Sequence, residues 1–315
     1  MQKKVNRFWV LFLFITASFF LLPHLCNAQR NRHALMLWGE AGYSAFFTKW
    51  DAFKNAGNMG VGAGFGYNVV IRNHLIISTG IEYISLNSSV RPIDLLIYKD
   101  LTDTEGDEYT MEYTIQKLSQ FDKTHNIFIP IYIGFKTNLR RIDFRGNFFM
   151  QAGGKIGYMF ASNYTSKIVS YTTVGIYDRF FDPFKNMPNH FFDTKKYRST
   201  NSLNFNKLQV VASIEIGMEF LTAADRTAMR ISLFADCGVT NRQTPERNRQ
   251  QNELIIFKEI PNDIYVNSLY ETNFKLSKNT TSFFTGIKMT FLFDVMKPPR
   301  HKCVPPKPNV YKKKR

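Results

Sequence analysis

A chain of 315 residues with a formal charge of +16 has room for one large or two small domains. Taken alone, the charge invites nucleic acid or an anionic surface as partner. Nucleic acid is set aside: no zinc-ligand spacing or RNA-binding aromatic signature accompanies the charge, and the bases crowd the two ends of the chain.

In chain order, the first element reads as a signal peptide over residues 1–28. Lys3, Lys4 and Arg7 form a basic stretch, residues 8–22 an apolar one, and Cys26-Asn27-Ala28 a small-residue cleavage site before Gln29. The competing reading is an anchor helix, but the apolar run is short for that and Pro23, His24 and the cleavage site follow it. Lipidation at Cys26 is disfavoured, because Pro23 and Leu25 stand where a lipobox has Leu and a small residue. Cleavage removes three bases and no acid, taking +16 to +13. It leaves Cys237 and Cys303, read as two free thiols rather than a disulfide framework. No later stretch has ~18 consecutive apolar residues, so the mature chain is either soluble outside the cytoplasm or spans a membrane with strands.

Eight segments then alternate with period two, the mark of a two-faced strand: 35–46, 59–69, 75–87, 127–137, 144–160, 208–220, 229–239 and 283–293. The second is the clearest. Met59, Val61, Ala63, Phe65, Tyr67 and Val69 share one face; Gly60, Gly62, Gly64, Gly66 and Asn68 share the other. Pro130 is a blemish in the fourth, because it removes a ladder donor. The apolar faces carry no charge. The opposite faces carry Glu40, Glu82, Lys136, Arg145, Lys155, Glu215, Glu219, Arg230, Asp236 and Lys288.

Two architectures accept such strands. A secreted, soluble ligand-binding barrel puts the apolar face inside; a transmembrane barrel puts it outside. An eight-stranded barrel is just wide enough for side chains to fill. Glycines and charges of both signs fit that lumen, whereas dozens of Phe, Ile, Leu and Met do not. The expectation is therefore all-β: an eight-stranded antiparallel up-and-down transmembrane β-barrel over 29–294. Short links at 71–74, 137–142 and 222–226 alternate with long ones at 47–57, 88–124, 161–205 and 241–279, as tight periplasmic turns alternate with long outer loops. Phe135, Phe144, Phe220 and Phe293 by the short turns, and Tyr43, Tyr83, Tyr158 and Phe283 by the long ones, suit two interfacial girdles facing outer-membrane lipid.

Gly60-Val61-Gly62-Ala63-Gly64-Phe65-Gly66-Tyr67, Arg72-Asn73-His74-Leu75 and Thr79-Gly80-Ile81-Glu82-Tyr83 together resemble the hairpin of the PorT-like outer-membrane β-barrel family of Bacteroidota. The resemblance covers the barrel strands. It implies an eight-stranded outer-membrane barrel, with some members in protein secretion or envelope assembly, and it implies no functional residue set.

Chemistry is sparse. His125 lies near Asp122 and Thr124, and His190 near Asp182 and Asp193, but no Ser stands in a nucleophile setting. The expectation is a non-enzymatic barrel acting in envelope assembly, secretion or surface interaction. A rim lipid A deacylase or acyltransferase is the alternative. No metal-ligand spacing or phosphate loop is present, so no cofactor or metal is expected. The ten lumen charges are read as a closed salt-bridge network rather than a conducting path. In the third long connection, Tyr177, Phe180, Phe181, Phe184, Phe191 and Phe192 suit a protein or glycan partner; equally, they would cap the barrel mouth. Residues 295–315 hold eight bases, five prolines and no acid, an extended periplasmic tail for peptidoglycan or an acidic periplasmic protein.

Overall fold

The structure is a computed structural model that describes residues 31–48, 55–72, 74–103, 105–141, 144–180, 182–187, 192–221, 227–242, 254–257, 264–270 and 280–295. The signal peptide, the turn at 222–226, His190, Cys303 and all of the basic tail after Val295 lie outside the described residues. Its strands are β1 (Arg32–Thr48), β2 (Asn55–Ile71), β3 (Leu75–Thr102), β4 (Glu108–Arg141), β5 (Phe144–Ile176), β6 (Thr194–Ser202), β7 (Leu208–Leu221), β8 (Thr227–Gly238), β9 (Ile255–Phe257), β10 (Ile264–Val266) and β11 (Thr280–Asp294).

Eight of these close a ring. Its order is β1-β2-β3-β4-β5-β7-β8-β11, with β11 pairing back to β1, and every pairing is antiparallel. Arg32 near the start of β1 forms an ion pair with Asp294 at the end of β11, so both chain ends leave the ring on the short-turn side. Residues facing out of the ring are apolar and exposed. On β4 they are Ile127, Ile129, Ile131, Ile133 and Phe135; on β2 they include Val61 and Phe65. The inward faces are buried and largely polar. Here the usual arrangement of a soluble protein is inverted, as an eight-stranded transmembrane β-barrel requires.

The glycine stripe of β2 has a packing reason. Trp38 of β1 lies across it, and a Cβ on Gly64 would meet the Trp38 ring at 2.4 Å. On Gly62 it would meet the Glu40 carboxylate at 2.7 Å. Small residues on one strand thus make room for large ones reaching in from the next. The lumen is not filled by glycine and charge alone, as expected from volume. Phe149, Phe128, Phe234, Phe284 and Phe46 are also buried inside, forming apolar floors below and above the charged layer. Pro130 sits inside the barrel in a central strand: the β3–β4 ladder pairs Thr79 with Ile131 and Glu82 with Phe128, and skips the step between.

Two of the four connections expected as long loops, 88–124 and 161–205, are largely strand. β3, β4 and β5 run to 28, 34 and 33 residues, where about 9–11 suffice to cross a bilayer. They continue beyond the barrel as one sheet, extended by β6, which pairs with β5 alone. Along β4 the polarity of each face reverses. Between 127 and 135 the outward side chains are apolar. Between 110 and 114 the outward ones are Thr110, Glu112 and Thr114, while inward Met111, Tyr113 and Ile115 are fully buried. The pleat slips by one residue at Gln116–Lys117, where both side chains are exposed and Lys117 has a φ of 55°, so odd positions face outward in the barrel and inward in the outer sheet beyond the slip. The inward face of the outer sheet carries its own core of Val90, Tyr109, Met111, Tyr113, Ile115, Leu118, Ile168 and Tyr171, covered by Phe192 and the short hairpin β9–β10.

Candidate interaction surface

The charges inside the barrel come together as a closed network. Lys155 reaches Glu82 and Asp236, each at 2.7 Å, and lies 3.9 Å from Glu40. Lys288 pairs with Glu215 at 3.0 Å. Glu219 takes Lys136 at 2.9 Å and Arg230 at 2.8 Å. Neutral groups complete the shells: Trp38 Nε1 donates to Glu82 at 3.0 Å, Gln151 Nε2 to Glu215 at 2.8 Å and Asn147 Nδ2 to Glu219 at 2.9 Å. Nine of the ten expected lumen charges are therefore buried and placed in this layer; the side chain of Arg145 lies outside the described residues. Two cavities within the barrel, one beside Trp38 and Lys288 and one beside Lys155 and Phe284, hold about 10 Å³ each, room for no more than one water molecule. The barrel among the described residues is a plug and not a path.

The mouth on the long-connection side is closed by residues 264–270, a segment with no sequence signal to find it. Leu269 N donates to Gln120 Oε1 at 2.9 Å, Gln120 Nε2 to Ser268 Oγ at 3.2 Å, and Tyr164 OH to the Val266 carbonyl at 3.3 Å. Arg242 stacks over Phe46 at 4.8 Å and donates to Gln209 at 2.7 Å. Asp122 is buried beneath this cap, in register with Ser88 and Tyr164 and so beyond the Tyr83 girdle. Burial pushes its carboxyl up to about 7, opposed by hydrogen bonds from Gln120 and Tyr270.

The candidate catalytic grouping at the rim does not assemble. His125 faces outward, where its Nδ1 meets the Tyr83 hydroxyl at 2.6 Å and its ring packs on Tyr83 and Phe160. Asp122 and Thr124 are buried on the opposite face of the same strand. Strand alternation separates residues that are adjacent in sequence. Among the described residues no group of three or more His, Cys, Asp or Glu is placed to hold a metal ion. Cys237 is exposed and free, on the outward face.

Of the aromatic run of the third connection, Phe181 and Phe191 lie outside the described residues, and Tyr177, Phe180, Phe184 and Phe192 do not cap the mouth but lie at the far tip of the outer sheet. Thr102, at the end of β3, is 19 residues beyond Tyr83, roughly 60 Å of extended chain. Tyr177 stacks on Tyr109 at 4.9 Å, meets Phe184 edge-on at 5.5 Å, and Phe184 meets Phe180 at 5.2 Å. Phe192 is buried against the outer core, and Arg179 forms an ion pair with Asp107 across the tip. Phe180 and Met187 remain 54% and 40% exposed, so the cluster is supported from below and apolar on top. Rigid aromatic groups on a solvated tip form a surface for contact with another molecule.

No family model matches the chain, and no curated protein matches it. Among solved structures it matches the crystal structure of Ail, the attachment invasion locus protein of Yersinia pestis, in complex with the heparin analogue sucrose octasulfate. That match covers 84% of this chain and 100% of Ail at 7% identity with a TM-score of 0.22, and it adds no argument to the ring of strands described above.

Proposed function

We propose that the protein is an integral outer-membrane barrel, related to the PorT-like proteins, that holds a rigid β-sheet clear of the membrane for contact with a protein or glycan. It acts in this reading without catalysis, in surface interaction, secretion or envelope assembly. The observation that carries the proposal is the reversal of polarity along β4. A band of exposed Ile and Phe gives way to a sheet with a buried apolar inner face and a polar outer one. One strand crossing from hydrocarbon into water has this pattern. The closed lumen argues against transport of solutes, and the exposed Phe180 and Met187 mark the contact.

A photo-crosslinking amino acid at position 180, introduced in cells, tests it. The expected result is a discrete adduct, absent when the crosslinker sits at the buried position 113. Lipid A profiling of a deletion strain covers the rim-enzyme alternative. A mass change restored by the wild type but not by His125→Ala would refute the non-enzymatic reading.

A further inference from the structure

The lower part of the outer sheet carries a patch of cations on its outward face, directly above the lipid-facing band. The register places Lys167 of β5 between Ser119 of β4 and Arg198 of β6. Lys196 lies two residues from Arg198 and therefore on the same side. Lys123 occupies the same face of β4, in register with Asn163. All four are exposed, and among the described residues none of them forms an ion pair. The stretches 117–123, 162–170 and 195–202 contain a single acid, Asp122, and it is buried on the opposite face. β6 is an edge strand, so Lys196 and Arg198 alone would be explained as guards against edge-to-edge pairing. Lys123 and Lys167 lie on interior strands, where no edge needs guarding.

Height decides the partner. Tyr83, His125 and Phe160 pack together where the apolar band ends. Lys123 stands two residues above His125, and Ser119, the partner of Lys167, six. At about 3.3 Å per residue these are roughly 7 Å and 20 Å along the strand. A phospholipid headgroup reaches only the first of these; a saccharide headgroup carrying phosphates reaches both. Exposed Phe121 and Val169 alternate with the cations, offering apolar ground to sugar rings and upper acyl chains.

We infer that this face binds the phosphorylated saccharide headgroup of an anionic glycolipid in the same leaflet, with its acyl chains lying against the apolar band of β4 and β5. The inference rests on the membrane reading proposed above. It adds a lateral lipid site distinct from the aromatic tip.

The test uses the purified full chain in zwitterionic detergent, given an equimolar mixture of a diphosphorylated disaccharide glycolipid and its dephosphorylated form, with bound lipid counted by native mass spectrometry. Each cation near an anionic headgroup contributes about fivefold in affinity. The phosphorylated form should exceed the other by at least tenfold, and the preference should fade at high salt. The triple variant K123E/K167E/R198E should bring the ratio near one while keeping the heat-dependent gel shift of a folded barrel; K185E at the tip should leave it unchanged. Equal binding of the two lipids, or a triple variant that keeps its preference, overturns the inference while leaving the barrel standing. Displacement by an equimolar soluble sulfated oligosaccharide, or by millimolar inorganic phosphate, also overturns it, because the face would then recognise free anions. A chain with no heat-dependent shift that stays in the aqueous phase overturns the membrane reading as well.

Discussion

Replacing Lys155 with Met removes the cation at the centre of the barrel. Three carboxylates depend on it: Glu82 and Asp236 at 2.7 Å and Glu40 at 3.9 Å. Glu82 keeps the Trp38 indole and Asp236 keeps the Ser213 hydroxyl, whereas no hydrogen-bond donor reaches either oxygen of Glu40 among the described residues. Breaking a buried pair by deleting one partner costs about 3–5 kcal/mol, because the remaining charge stays desolvated. That is a loss of about two to nearly four orders of magnitude in the folding equilibrium. With an m-value of ~2 kcal/mol/M, the urea midpoint in lipid vesicles falls by about 1.5–2.5 M. Adding Glu40→Gln, Glu82→Gln and Asp236→Asn removes all three stranded charges and should recover most of the loss. Tryptophan fluorescence reads the transition, since Trp38 lies in the same layer. A single variant that loses less than ~1 kcal/mol, or a quadruple variant no better than the single, would refute the charge-network account.

Gly64→Val places a Cβ 2.4 Å from the Trp38 ring and 2.7 Å from the Ile81 carbonyl, so a loss of about 3 kcal/mol or more is expected. Gly154→Ala, whose nearest neighbour is the Val211 carbonyl at 3.5 Å, should shift the same urea midpoint little. Asp122 gives the mouth cap a pH dependence. Its carboxyl is raised to about 7 in the folded state, so the proton it holds favours the closed cap at low pH. Protection of the Leu269 and Tyr270 amides from hydrogen exchange should fall as pH rises through this range and level off above it, and Asp122→Asn should remain flat; a slope of opposite sign would contradict the assignment. Planar-bilayer recording should show no stable porin-scale conductance, in keeping with lumen cavities of about 10 Å³.

Much of the barrel was legible because period two is a local signal. The alternation of Met59, Val61, Ala63 and Phe65 against Gly60, Gly62 and Gly64 identifies both the strand and the side that lipid sees. The lumen charges were readable for the same reason, since each occupies the face opposite a run of apolar residues. The partners within the network were not readable, because Lys155 meets Glu82 across 73 residues and Lys136 meets Glu219 across 83. The outer sheet falls within stretches expected as loop although its signal is present. Tyr109, Met111, Tyr113 and Ile115 alternate cleanly with Glu108, Thr110, Glu112 and Thr114. An expectation of strands just long enough for a bilayer hid them, and the apolar face there is the inner one. The closing segment 264–270 carries no periodicity at all. Its position depends on side chains of β4, β5 and β6 that only the fold brings near.

The reversal of polarity along one unbroken strand is the centre of the account, and a nitroxide scan along β4 tests it most directly. Single cysteines from position 110 to 135, in a protein reconstituted in lipid, report oxygen and water-soluble nickel collisions residue by residue. The account predicts that oxygen dominates at 127, 129, 131 and 133, that nickel dominates at 110, 112 and 114, and that neither reaches 111, 113 and 115. A scan in which nickel reaches 127 to 133, or in which one face is lipid-exposed along the whole strand, would contradict it.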